Sequence, residues 1–362
     1  MKKVLVISNM YPSKEHLAYG IFVKNQVEQL EQEGIETLLA VNTNPATGKK
    51  NVLFKYAKWA RNVMRTFRAN KREISLTHSH YVFPSGLFSY YLKKRYNIPY
   101  IVTAHGGDIN KMAKKGGQIR QFTEKILQSA DHVIAVGEEL ATTIEKSFNV
   151  PNDKITVMSM GIDRNVFKKT EDKKQCAVQL GMDPEKTNFL FVGNIIREKG
   201  VAELIQAFNK VTESAPGQSA LYCVGSTKDA NFTSKVKELA QGNADIHFIE
   251  PMPQHELARY FQAADVFVLP SYIEGLGLVA LEAMSCGTPV IASDVGGLHY
   301  MLADGAGVLV PPKDEILLQL ALENAVKEGM QVNESRVNEL LELHDAKEII
   351  TRLKELYTTH AK

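Results

Sequence analysis

The feature that most constrains this chain is a rhythm. Short apolar runs alternate with segments of helical periodicity, and the alternation runs through twice. In the first pass Val4 to Ser8 reads as a buried strand, a polar loop runs from Asn9 to Gly20, and Ile21, Val23, Val27 and Leu30 then recur at helical spacing. Thr37 to Val41, Leu76 to His78, Tyr100 to Thr103, Asp131 to Val136 and Val150 to Met158 continue the strands, and Phe122, Ile126 and Leu127 mark a helix between them. The second pass opens with a strand at Asn188 to Val192 and a helix at Val201 to Val211. It continues through strands at Ser219 to Val224, Ile246 to Ile249, Val266 to Leu269, Pro289 to Ala292 and Gly307 to Val310. Strands separated by helix-length segments return in the same direction, so the sheets are parallel and helices cover their faces.

The expected fold class is therefore α/β, with two Rossmann-like domains facing a cleft. The 362 residues exceed what one ordinary core holds. The boundaries expected are 1–165 for the first domain, 166–345 for the second and 346–362 for a C-terminal helix packing back on the first, with the whole tail from Ser335 to Lys362 reading as helix. Ligands of open parallel sheets bind beyond the carboxyl ends of the strands, so the loops after Ser8, Thr103, Val192, Val224 and Leu269 are expected to line the site.

Composition excludes several classes. Hydrophobic content of 44% and charged content of 23% are those of a globular protein. Cys176, Cys223 and Cys286 stand far apart, which argues against a disulfide framework or a zinc site and fits a reducing compartment. The start, MKKVLVISNM, is too short in its apolar run for a signal peptide, and no run reaches the roughly 18 apolar residues of a membrane span. The expected location is cytoplasmic, with a peripheral membrane position open for the reason that follows.

The net charge of +2 hides an asymmetry: residues 1–165 hold 24 Lys and Arg against 14 acids, while residues 166–362 hold 19 against 27. Much of the excess lies between Lys49 and Arg72, with nine basic residues and no acid. Lys55, Lys58, Arg61, Arg65, Arg68 and Arg72 recur every three or four positions opposite Tyr56, Trp59, Val63, Met64 and Phe67, which is a basic amphipathic helix. It suits an anionic membrane surface, and equally a domain helix with its apolar side in the core. A nucleic-acid partner is not expected, because the stripe is one helix without a base-stacking module.

The densest chemistry lies in SYIEGLGLVALEAMSCGTPVIASDVGG, Ser271 to Gly297. Gly275 and Gly277 let backbone N–H groups approach a ligand closely, and a helix starting near Leu278 offers unpaired N–H donors and a positive dipole end to a phosphate. Glu274 and Glu282 can accept hydrogen bonds from sugar and ribose hydroxyls. In FVGNIIREKG, Arg197 and Lys199 sit in a strand-to-helix loop where cations can neutralise a diphosphate. In IVTAHGGDIN, His105 follows a strand and precedes Asp108, and His80 occupies THSHYVFPSG.

The Ser271–Gly297 segment resembles the signature of family 4 glycosyltransferases of the GT-B fold, and the similarity extends over most of the chain. The resemblance implies a retaining enzyme that transfers a hexose-type sugar from a nucleotide-diphosphate donor, most commonly a UDP-sugar. It implies that Glu274 contacts the donor hexose, that the backbone from Gly275 through Leu276 to Gly277 and Leu278 lies beside hexose and diphosphate, and that Glu282 binds ribose. Lys199, with Arg197, would meet the diphosphate, Gly20 would let the first loop approach the donor, and His105 would serve the reacting sugar. His80 and Asp108 fall on the acceptor side. No cofactor and no metal are expected, since no Asp-x-Asp motif is present. The chain departs from the family at Asn194, where an Arg is usual, at Tyr19-Gly20, where two glycines are frequent, and at Tyr300, where a Glu is common. The YGIFVKNQVEQL and HSHYVFPSG stretches resemble bacterial enzymes of surface-polysaccharide synthesis, which implies a glycan or lipid-linked acceptor. Rival readings are another two-Rossmann nucleotide-sugar enzyme and a sugar or nucleotide binder without transfer activity. A nicotinamide enzyme is disfavoured because VISNMYPSKE holds no GxGxxG.

Overall fold

A computed structural model describes residues 2–46, 49–109, 116–227 and 229–362, the side chains of residues 49, 50, 52 and 53 excepted. The chain divides into two compact units, Met1–Gly161 with Ala346–Lys362, and Ile162–Asp345. Each is a parallel six-stranded sheet with helices on both faces.

In the first unit the elements follow as β1 (Lys3–Ser8), α1 (Ile21–Gln32), β2 (Thr37–Val41), α2 (Lys49–Asn70), β3 (Ile74–His80), α3 (Ser85–Tyr96), β4 (Tyr100–Ala104), α4 (Gly117–Ser129), β5 (His132–Ala135), α5 (Glu138–Phe148) and β6 (Ile155–Val157). The sheet order is β2-β1-β3-β4-β5-β6. Alternation along β1 sorts the core: Val4 and Val6 join the layer of α1, while Leu5 and Ile7 join Trp59, Val63 and Phe67 of α2. β3 is longer than its apolar residues suggest, and all seven of its residues are buried. Its polar side chains find partners inside: Thr77 donates to Ser89 Oγ at 2.8 Å, and Ser79 and Ser89 hydroxyls lie 2.7 Å apart. Satisfied hydroxyls are tolerated in a central strand, but they hide it from a hydrophobicity pattern.

The second unit runs α6 (Lys173–Gln179), β7 (Thr187–Val192), α7 (Val201–Ser214), β8 (Ser219–Val224), α8 (Ala230–Leu239), β9 (Ile246–Ile249), α9 (Gln254–Ala263), β10 (Val266–Leu269), α10 (Leu278–Ser285), β11 (Val290–Ser293), α11 (Gly297–Leu302), β12 (Val308–Val310), α12 (Glu315–Glu328) and α13 (Glu334–Leu343). Its order, β12-β11-β10-β7-β8-β9, places the first strand of the unit beside the fourth. Phe189 and Phe191 of β7 pack with α7 and α12, and Leu190 points into the opposite layer with α9 and α10.

The tail from Ser335 onward holds two helices with a break between them. It breaks after Leu343, and α14 (Ala346–His360) belongs to the first unit. Both halves carry correct helical periodicity, but the buried faces serve different cores. Val337, Leu340 and Leu341 join the second unit, whereas Ile349, Ile350, Leu353 and Tyr357 pack with Val23, Val27 and Leu30 of α1.

The basic helix resolves in part. Trp59 is 3% exposed and donates its indole N–H to the Ala40 carbonyl at 2.8 Å, and Val63 and Phe67 are fully buried, so the apolar stripe belongs to the core. Lys55 departs from the expected solvated face. It is buried, its Nζ bonds the carbonyls of Ala46 at 2.8 Å and Asn44 at 3.3 Å, and burial lowers its pKa. Lys58, Arg61, Arg65 and Arg68 remain exposed beside Phe54, and the side chains of Lys49 and Lys50 lie outside the described residues. Among the described residues no helix is long and apolar enough to cross a membrane.

Candidate functional site

In the second unit the strand order reverses between β7 and β10. Loops leaving two such neighbours turn to opposite faces of the sheet and open a crevice at its carboxyl edge. The motif residues come from these two loops. After β7 the chain makes a 3-10 turn, Arg197–Lys199, and enters α7 through Gly200. After β10 it passes Pro270 and Ser271 and reaches α10 through Gly277. Gly200 has φ +66°, and a Cβ there would stand 2.0 Å from the Pro270 carbonyl oxygen, so only glycine allows the two loops to touch.

This contact brings Lys199 and Glu274 together across 75 positions of sequence. Lys199 Nζ lies 2.5 Å from Glu274 Oε1, with both side chains largely shielded. The same oxygen accepts the Ser271 hydroxyl at 2.7 Å, so the carboxylate is held from two sides. Nothing in the sequence singled out Ser271 beyond its spacing of three from Glu274. Arg197 is exposed and hydrogen-bonds the Tyr272 hydroxyl, which itself donates to Glu203, while the Lys313 ammonium sits 4.8 Å from the Tyr272 ring centroid. Arg197 thus stands on a different partner from Lys199. Asn194 is exposed, and its carbonyl accepts from the Ile196 N–H at 2.9 Å to close the turn.

The loop from Glu274 to Gly277 is clamped from below. The Gly297 N–H donates to the Gly275 carbonyl at 2.9 Å. A Cβ on Gly296 would stand 2.1 Å from the Glu274 carbonyl oxygen, and one on Gly297 would stand 2.7 Å from Leu276 Cα. Gly277, at φ +85°, is the N-cap of α10, and its carbonyl accepts the Ala280 N–H at 2.8 Å. Glu282 lies one turn into α10 and is half-buried. Desolvation pushes its pKa up to about 8, a Gln254 hydrogen bond offsetting part of the effect. Tyr300 is 55% exposed on α11, next to His299, whose Nδ1 is 2.6 Å from Asp294 Oδ1.

In the first unit the reversal lies between β1 and β3, and a second group of residues gathers there. Gly20 has φ +73° and starts α1, and a Cβ would meet the Met10 carbonyl at 2.6 Å, so the β1–α1 loop folds back on itself. His105 follows β4 directly and is partly exposed. Its Nε2 lies 3.3 Å from His80 Nδ1, and its ring is flanked by Tyr81 at 4.5 Å and Phe22 at 5.0 Å between centroids. Burial lowers the pKa of His105 to about 3.

Two residues expected on the acceptor side have other surroundings. His80 is 1% exposed and lies behind His105. Asp108 is 2% exposed and accepts the N–H groups of Val82 at 2.7 Å and His105 at 3.1 Å. Burial raises its pKa to about 6 against the lowering effect of those donors. Asp108 therefore ties the loop after β4 to the loop after β3 rather than presenting a carboxylate outward. No pattern in the sequence links His78 and Tyr357, whose Nδ1 and hydroxyl meet at 2.6 Å from 279 positions apart.

Comparison with known proteins follows this division. Residues 172–338 match a family model for glycosyl transferases group 1, and residues 19–166 match one for glycosyltransferase family 4. An alpha-maltose-1-phosphate synthase of Mycolicibacterium smegmatis is 33% identical over 67% of this chain, which spans 65% of that protein's length. A D-inositol 3-phosphate glycosyltransferase of Corynebacterium efficiens is 31% identical over 74% of this chain and 67% of its own. A putative teichuronic acid biosynthesis glycosyltransferase, TuaC, of Bacillus subtilis is 26% identical over 88% of both chains. Among solved structures, a sucrose-phosphate synthase of Thermosynechococcus elongatus superposes with a TM-score of 0.81 at 22% identity over 99% of both chains. Anabaena HepE in complex with UDP-glucose does so with a TM-score of 0.77 at 17% identity, over 99% of this chain and 100% of its own. These structural likenesses establish the GT-B fold.

Proposed function

The chain belongs to the group 1 and family 4 glycosyltransferases, and on that premise we propose that it moves a hexose-type sugar from a UDP-sugar to a glycan or lipid-linked acceptor in bacterial surface-polysaccharide synthesis, with retention of the anomeric configuration. The observation that carries the reading is the Lys199–Glu274 pair at the strand reversal of the second unit, beside the start of α10. A diphosphate needs cations and N–H donors, and a hexose needs a fixed carboxylate, and this crevice holds both within one ion pair.

In this reading Glu274, steadied by Ser271, accepts hexose hydroxyls, and Glu282 accepts those of the ribose. Lys199 and the N–H groups after Gly277 take the charge that develops on the diphosphate. Arg197 serves the same charge from the rim. The bond from the anomeric carbon to the phosphate oxygen breaks as the bond to the acceptor oxygen forms on the same face. The acceptor's proton passes to the departing phosphate oxygen, so no protein nucleophile is required. His105 hydrogen-bonds a substrate hydroxyl.

Support for a UDP-sugar comes from HepE, which is described in complex with UDP-glucose. Support for a surface-polysaccharide acceptor comes from TuaC, whose name assigns it to teichuronic acid biosynthesis. The exposed stripe of Phe54, Lys58, Arg61, Arg65 and Arg68 on α2 suits an anionic membrane face, where a lipid-linked acceptor would be met, and the proposed location is the cytoplasm at that face. Catalysis is proposed to need no metal or other cofactor, since Lys199 and the helix start supply the positive charge.

Calorimetry against a panel of nucleotide sugars tests the donor. Micromolar binding of a UDP-sugar, weakened in Glu274→Gln, is expected, and binding of none of the panel would reject the reading. UDP release from the bound donor separates an enzyme from a mere binder. Activity retained in excess EDTA is expected, and complete loss restored by manganese would reject metal independence.

A further inference from the structure

His78 and His80 stand two apart on β3, so their rings leave the strand on one face, with centroids 4.4 Å apart. His105, just beyond the neighbouring β4, extends the row, its ring centroid 5.5 Å from that of His80. The inner end is anchored. His78 Nδ1 meets the Tyr357 hydroxyl at 2.6 Å and His78 Nε2 meets Thr103 Oγ1 at 2.8 Å, so both of its nitrogens are engaged. The outer end is framed by Tyr81 and Phe22. Exposure rises only at the last member: His78 is fully buried, His80 is 1% exposed, and His105 is partly exposed.

We infer that His80 is a positioning residue for His105, holding it as a neutral ring in a single tautomer with one defined nitrogen presented outward. The inference rests on the reading that places His105 at the substrate site. A neutral imidazole has one N–H and one lone pair. A hydrogen bond between two neutral rings therefore makes one the donor and the other the acceptor, and it fixes the remaining nitrogen of each. The groups facing His105 favour neutrality. His78, His80 and Tyr81 come from β3 and the loop after it, Phe22 comes from α1, and Asp108 comes from the loop that carries His105 itself. Asp108 is the one acid among these, and both its oxygens are taken by backbone N–H groups. Burial accordingly lowers all three histidines, His78 and His105 to about 3 and His80 well below its ordinary value. Tyr357 contributes from the last helix of the chain by closing the inner end of the row.

The test is long-range proton–nitrogen NMR of the full chain with nitrogen-15 histidine, from pH 5 to 8.5. His105 in the wild type is expected to show two well-separated ring-nitrogen shifts that do not move with pH. In His80→Phe, which keeps a ring but removes the nitrogens, the two shifts should converge toward a tautomer average and titrate within the range. His80→Asn, whose amide can stand near the lost Nδ1, should restore the separation. A wild-type His105 that titrates between pH 5 and 8, or one whose shifts are unchanged by His80→Phe, would overturn the inference. Should His80→Phe not fold, the wild-type titration and the His80→Asn spectrum decide alone. UDP release from UDP-glucose is measured in parallel, with at least a tenfold fall in kcat expected for His80→Phe. Altered His105 shifts with unaltered turnover would leave the positioning role standing and remove His105 from the substrate site.

Discussion

Replacing Glu282 by Gln tests the proposed donor site through a proton. Burial within α10 raises the carboxyl of Glu282 from its ordinary 4.5 to about 8 in the folded chain. The folded state therefore holds a proton that the unfolded state releases above pH 4.5. For a group with a raised folded pKa, the associated stability is fully present below the unfolded value and is lost as pH climbs through the folded one. At about 1.4 kcal/mol per pH unit, discounted because the side chain is half-buried, the loss between pH 5 and 8 is on the order of 3 kcal/mol. Urea unfolding at intervals across that range should show the wild type weakening with pH relative to Glu282→Gln, which carries no such proton. Ribose binding adds a second consequence. If the ionised carboxylate accepts the ribose hydroxyls, UDP binding releases a proton, and affinity rises roughly 50-fold between pH 6 and 8 on the part due to Glu282. Calorimetry with UDP in two buffers of different ionisation enthalpy measures that proton directly, and subtraction of the Glu282→Gln curve removes the nucleotide's own titration. Parallel stability curves for the two proteins, together with no difference in proton release, would refute the reasoning.

Further predictions concern the loops and the basic helix. Gly296 combines φ +52° with ψ −133° and stands against the Glu274 carbonyl, so Gly296→Ala should cost about 2–4 kcal/mol and displace the Glu274 loop. An unchanged thermal midpoint with unchanged UDP-glucose affinity would contradict the clamp. Lys199→Met should lower UDP release by about 100-fold, the scale of losing one charge-stabilising donor, and retention of more than a third of the wild-type rate would exclude Lys199 from the diphosphate. Changing Lys58, Arg61, Arg65 and Arg68 together to Gln should leave the fold intact, since all four are exposed, and should abolish flotation with anionic liposomes. Absence of salt-sensitive flotation by the wild type would remove the membrane from the proposal.

Much of this protein was legible in order along the chain. Most strands among the described residues lie where short apolar runs separate helix-length segments, since a central strand is largely apolar and a crossover must be long, while the polar β3 showed only in part. The glycine-rich loop and the helix start within Ser271–Gly297 were legible too, whereas the roles of Glu274 and Glu282 there rest on the family resemblance. Local steric rules suffice for the loop and the helix start. Two assignments needed the fold. Asp108 follows His105 by three residues like a group meant for a ligand, yet burial turns it into a staple between loops. Lys55 keeps step with the basic face of α2, yet it is turned inward to two carbonyls.

The division has a physical cause. Periodicity, turn chemistry and glycine conformation act over a few bonds, so the sequence by itself determined most elements, the parallel sheets and the glycine-rich loop before α10. Which side chains meet depends on strand order, and strand order is decided by packing across the whole unit. Only the placement of β7 beside β10 joins Lys199 to Glu274, and only the return of α14 to the first unit sets Tyr357 on His78.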